Sequence, residues 1–67
     1  MTHSEIIADL GGYKSVAKDF MLHPTAVFRW TKGEIPLHWW AEVERLARQQ
    51  GKYHITQQMI LENRPKR

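Results

Sequence analysis

The sequence predicts an all-α fold, a compact bundle of about five short helices. Three observations carry this expectation. Apolar residues recur three and four positions apart, as in Ile6-Ile7-Leu10, Val16-Ala17-Phe20 and Val27-Trp30. Gly11-Gly12, Gly33 and Gly51 follow these runs at the places where a helix stop is expected. Pro24 and Pro36 stand where a first helical turn tolerates a missing N–H.

The first helix starts at Thr2-His3-Ser4-Glu5, because Thr2 and Glu5 have capping-box spacing; Ser4 is an alternative cap. Ile6, Ile7 and Leu10 share one of its faces, and Gly11-Gly12 ends it. A second helix runs from Tyr13 or Lys14 to Phe20, with Val16, Ala17 and Phe20 inward. Met21-Leu22-His23 is short enough to be a tight turn. A third helix begins at Pro24 and stops at Lys32-Gly33, with Ala26, Val27 and Trp30 inward. Glu34-Ile35-Pro36 opens a fourth, carrying Trp40, Val43, Leu46 and Ala47 on its apolar side and the pairs Glu42–Arg45 and Glu44–Arg48 outside. Gly51 ends it, and Lys52 to Ile55 reads as extended. Thr56 caps a last helix, Gln57 to Glu62. One domain over residues 1–62 is expected, followed by a basic flexible tail over 63–67.

At 67 residues, with 42% hydrophobic and 25% charged residues, the chain is a folded domain with little surplus core, and oligomerisation is a reasonable expectation. It has no cysteine, so disulfides and thiolate metal sites are excluded. The N-terminus lacks the basic start and apolar stretch of a signal peptide, and no run is long enough for a membrane span, so a cytoplasmic location is the default expectation. The formal charge of +3 is unevenly placed. Between Tyr13 and Lys32 stand Lys14, Lys18, Arg29 and Lys32 against Asp19 alone, a local balance of +3. Arg64, Lys66 and Arg67 add another +3, and the rest of the chain sums to −3. Clustered cations attract a polyanion better than scattered ones, because their potentials add.

Two short helices joined by a tight turn between Tyr13 and Lys32 make a helix-turn-helix, with the small Ala17 where the helices cross. Periodicity alone also fits an ordinary helical hairpin. The run GGYKSVAKDFMLHPTAVFRWTKGEIPLHWW resembles the Cro-like helix-turn-helix family, and especially small prophage-type regulators and antitoxins. The landmarks are Gly11-Gly12, Val16-Ala17, Ala26-Val27, Trp30, Ile35-Pro36 and Trp40, and the likeness covers roughly Ile6 to Ala47. The resemblance implies an all-helical domain that binds double-stranded DNA as a homodimer, represses transcription and often controls its own promoter. Two positions depart from the pattern. Met21 stands where glycine is usual and must bear a left-handed backbone or shift the turn; His23 replaces a Ser/Thr cap and is a poorer one.

If Ala26, Val27 and Trp30 face inward, Thr25, Phe28, Arg29 and Lys32 face outward from the third helix. Arg29 has the donor fork for guanine O6 and N7, Thr25 suits a base edge or a phosphate, and Phe28 suits thymine methyls or else a core or dimer contact. Lys14, Ser15, Lys18 and Lys32 suit phosphates, although solvated surface explains the lysines equally well. His23 and Pro24 open the third helix, His23 as a turn residue first and a phosphate ligand second.

Trp39 lies about 100° around a helix from Trp40, so it is either a dimer or partner anchor or part of a broad core face. Tyr53 and Ile55 can pair with a second copy or cover the core, and Met59 and Ile60 complete either arrangement. A protein partner such as a toxin or another regulator is the competing expectation. No enzyme chemistry is expected: His3, His23, His38 and His54 are too widely spaced for helical metal ligands and read as surface residues, and no glycine loop is present to cradle a phosphate. No cofactor is expected.

Overall fold

Most helix boundaries trace to local chemistry in a computed structural model that describes residues 2–65. Helix α1 (His3–Asp9) opens with the expected capping box. The Glu5 N–H donates to Thr2 Oγ1 at 3.1 Å, and the Thr2 N–H donates to Glu5 Oε1 at 3.0 Å. Helix α2 spans Tyr13–Asp19, α3 Pro24–Lys32, α4 Trp40–Gln49 and α5 Gln57–Glu62. Thr56 caps α5, its hydroxyl accepting from the Met59 N–H at 3.1 Å.

Helices α1, α2 and α4 end in the same pair of backbone bonds. In α1 the Gly11 N–H donates to Ala8 O and the Gly12 N–H to Ile7 O; in α4 Gly51 donates to Arg48 and Lys52 to Ala47. In α2 Met21 donates to Lys18 at 3.2 Å and Leu22 to Ala17 at 2.8 Å. This Schellman geometry puts one residue at positive φ. That residue is glycine in α1 (Gly11, φ 112°) and α4 (Gly51, φ 75°), but Met21 in α2 (φ 58°). The turn therefore keeps its shape, and Met21 bears the left-handed backbone that a β-carbon disfavours.

Helix α3 packs on both α1 and α2, while α5 packs on α4. The core is built from Ile6, Ile7 and Leu10 of α1, Val16 and Ala17 of α2, Val27 and Trp30 of α3, and Trp40, Val43, Leu46 and Ala47 of α4. Ile35, Ile55 and Ile60 complete it. No helix among the described residues is long and apolar enough to cross a membrane.

The structure departs from the sequence expectations at three places. The fourth helix does not begin at Ile35-Pro36. A 3₁₀ turn (Leu37–Trp39) precedes α4, because the residue before a proline is held extended and both polar groups of Ile35 are already engaged. Its N–H donates to His3 Nδ1 at 2.9 Å, and its carbonyl accepts from Trp40 Nε1 at 2.8 Å. Lys52 to Ile55 forms turns rather than a strand, since the Schellman cap at Gly51 folds Lys52 back and Ile55 N–H donates to Lys52 O at 3.2 Å. His3 is buried rather than superficial. At the start of the expected tail, Asn63 Nδ2 donates to Met59 O at 2.7 Å, and the exposed Arg64 pairs with Glu34 at 3.3 Å. Lys66 and Arg67 of that tail lie outside the described residues.

Candidate nucleic-acid interface

Val27 and Trp30 anchor α3 in the core, and this fixes what the helix offers outward. Thr25, Phe28, Arg29 and Lys32 are all exposed. They fall at i, i+3, i+4 and i+7 and so form one stripe along the open side. An α-helix with its side chains is about 10–12 Å across, which matches a major groove about 12 Å wide.

His23 caps α3 through its ring: Nδ1 accepts from the Thr25 N–H at 3.2 Å. The bond requires an unprotonated Nδ1, so the neutral ring carries its proton on Nε2 as a further donor. His23 and Pro24 are exposed, as are Lys14, Ser15 and Lys18 on α2. All nine residues expected at a DNA surface thus lie on the outside of α2, α3 and the turn between them.

The cations among the described residues divide by place. Arg45 pairs with Glu42, Arg48 with Glu44 at 3.9 Å, Lys52 with Asp9 at 3.3 Å and Arg64 with Glu34 at 3.3 Å. Lys14, Lys18, Arg29 and Lys32 take part in no ion pair among the described residues. The Lys32 ammonium instead lies 5.3 Å from the centre of the Phe28 ring. Tyr13, a residue the sequence reading left out of the surface, meets the same ring edge-on at 5.1 Å. Its place at the start of α2, facing an exposed aromatic on the next helix, was the available signal.

Compared with protein-family models, curated proteins and solved structures, the chain matches none of them. The surface is therefore read from its own chemistry.

The residues expected at a partner contact do not form one surface. Ile55 and Ile60 are completely buried and serve the core of this domain, because α5 and the turn before it close over α4. Tyr53 is exposed and Met59 is half-buried against the core. Trp39 is half-buried; it stacks on Phe20 at 5.1 Å and tilts against Trp30 at 5.6 Å. A groove of about 540 Å³ opens beside it, lined in part by Phe20, Met21 and Leu46. Met21 is 92% exposed at its edge. Among the described residues no cluster of His, Asp and Glu has the makings of a metal site.

Proposed function

We propose that this chain is a sequence-specific double-stranded-DNA-binding transcriptional regulator whose helix-turn-helix is α2, the turn at Phe20–His23, and α3. The observation that carries the reading is the division of cations. Four of them stand unpaired around the open stripe of α3, and the described cations elsewhere are neutralised by carboxylates. A protein surface that keeps its positive charge unmatched in one place suits a polyanion. In this reading Arg29 donates its fork to a guanine, Thr25 meets a neighbouring base edge or phosphate, and Lys14, Ser15, Lys18, Lys32 and His23 Nε2 hold the backbone. Two copies would place two such helices on half-sites about 34 Å apart. Repression, by occupying a promoter in the cytoplasm of a bacterial or phage-infected cell, follows from the resemblance to Cro-like regulators.

Selection from a random pool of duplexes tests the reading. A paired, palindromic site is the expected product. Arg29→Ala should remove the preference for one guanine in each half-site. Lys14→Ala should leave the preferred sequence unchanged and reduce the salt dependence by about one unit of slope. Recovery of no preferred duplex overturns the proposal.

A second reading, a module that binds a protein partner, is favoured by one feature only: the groove at Phe20, Trp39 and Leu46 with Met21 exposed beside it. Salt separates the two. Phosphate contacts weaken steeply as salt rises, whereas an apolar contact at Trp39 does not.

A further inference from the structure

Phe28 has no use in the interior. Val27 and Trp30 hold α3 to the core, and Phe28 stands on the opposite side with 40% of its surface exposed. Its ring is nevertheless fixed. Tyr13 meets it in an edge-to-face contact, with centroids 5.1 Å apart and planes at 63°. The Lys32 ammonium covers it at 5.3 Å. Such contacts favour one ring position without burying it. The arrangement leaves a rigid apolar group in the middle of a polar stripe, between Thr25 and Lys32.

The surroundings decide what that group can meet. A second copy of the chain docking here would bring Lys14, Lys18, Arg29 and Lys32 against the same four cations, and like-charge juxtaposition opposes it. A duplex brings phosphates to those cations, and the one apolar group exposed in its major groove is the thymine 5-methyl. We propose that Phe28 is a specificity-determining residue that reads a thymine methyl, with Tyr13 as the residue that positions its ring. The inference rests on the DNA-binding reading above and adds to it a base that the bound sequence must contain in each half-site.

The experiment exchanges the methyl for hydrogen and leaves every base pair intact. The duplex selected by the natural protein is resynthesised with deoxyuridine at each thymine in turn, and affinities are compared at one salt concentration. Burial of one methyl is worth about fourfold in affinity (about 0.8 kcal/mol), so a dimer should lose roughly sixteenfold when both half-sites are altered. Phe28→Ala should bind more weakly but equally to the two duplexes. Tyr13→Leu should keep the guanine preference set by Arg29 while its thymine-to-deoxyuridine ratio falls toward one. Equal binding of both duplexes by the natural protein overturns this inference and leaves DNA reading through Arg29 standing. An unchanged ratio in Tyr13→Leu overturns the positioning role. Failure to select any duplex overturns both this inference and the function beneath it. The deoxyuridine comparison uses only the natural protein, so it decides the matter even where a variant folds poorly.

Discussion

His3 gives the sharpest test of how this domain is held together. Its side chain is 1% exposed, and both ring nitrogens are engaged. The Ile35 N–H donates to Nδ1 at 2.9 Å, and Nε2 donates to the Ile60 carbonyl at 2.9 Å. One imidazole, with its proton on Nε2, thereby ties the start of α1 to the segment before α4 and to α5. His3→Ala would strand the buried Ile35 N–H, at about 1–3 kcal/mol, would leave the Ile60 carbonyl with the Asn63 N–H as its donor at 3.3 Å, and would leave the volume of the ring unfilled. Together the unpaired N–H and the unfilled volume come to about 2–5 kcal/mol. A domain of 67 residues at about 0.05–0.15 kcal/mol per residue has only about 3–10 kcal/mol in total.

The variant should therefore lose a large share of the domain's stability. His3→Gln offers an amide oxygen and an amide N–H for the same two partners, and should lose no more than about 2 kcal/mol by retaining both bonds. Urea denaturation followed by the fluorescence of buried Trp30 and Trp40 measures both. The ¹⁵N shifts of the ring should report a bare Nδ1 and a protonated Nε2. A loss below about 1 kcal/mol in His3→Ala, or the opposite tautomer, refutes the reasoning.

Three further outcomes are expected. Met21→Gly should relieve the left-handed backbone at φ 58°, a gain of about 0.5–1 kcal/mol after the greater freedom of unfolded glycine is set against it, seen as a melting temperature a few degrees higher; a lower melting temperature contradicts the Schellman account. The Thr2 backbone N–H, and after it the Thr2 hydroxyl, hold the Glu5 carboxyl below its ordinary range. A lowered folded value means the stabilisation is present above the unfolded carboxyl's range and is lost as the pH falls through the folded one. Melting curves from pH 7 downward should converge with those of Glu5→Gln in acid, and parallel curves argue against the capping box. Trp39→Ala should lose about 2–4 kcal/mol in chemical denaturation, because the ring stacks on Phe20 and tilts against Trp30; an unaltered stability would return Trp39 to the role of a partner contact.

The all-helical fold was legible because its helix signals are local. Thr2 with Glu5, Thr56 before Gln57, and glycine after α1 and α4 each satisfy backbone groups within a few residues. The stripe on α3 was legible for the same reason: once Val27 and Trp30 face inward, 3.6 residues per turn dictate where Thr25, Phe28 and Arg29 point. What could not be read depends on partners far away in the chain. His3 bonds to residues 32 and 57 positions distant, and no spacing rule marks such a histidine as internal. Ile35 looked like the start of a helix because its neighbours in sequence permit one; its backbone is held out by His3 and Trp40 in space. Ile55 and Ile60 carry the same ambiguity, since an apolar residue near a chain end reads alike as core or contact until the element beneath it is known.

In the proposed reading, the two faces of α3 separate stability from recognition. The inward face is complete without any partner, since Val27 is fully buried and Trp30 nearly so. The outward stripe contributes little to that packing, so exchanges there fall in the class of surface changes that alter stability by about half a kcal/mol or less. Arg29 and Lys32 on this stripe, with Lys14 and Lys18 of α2, have no carboxylate partner among the described residues, so their like charges repel in the free protein. A domain selected for stability alone would pair those charges, as this chain does at Arg45, Arg48, Lys52 and Arg64. Leaving them unmatched beside a braced, half-exposed aromatic gains the isolated domain nothing. It makes physical sense for a surface that a polyanion, with an apolar spot at its centre, completes.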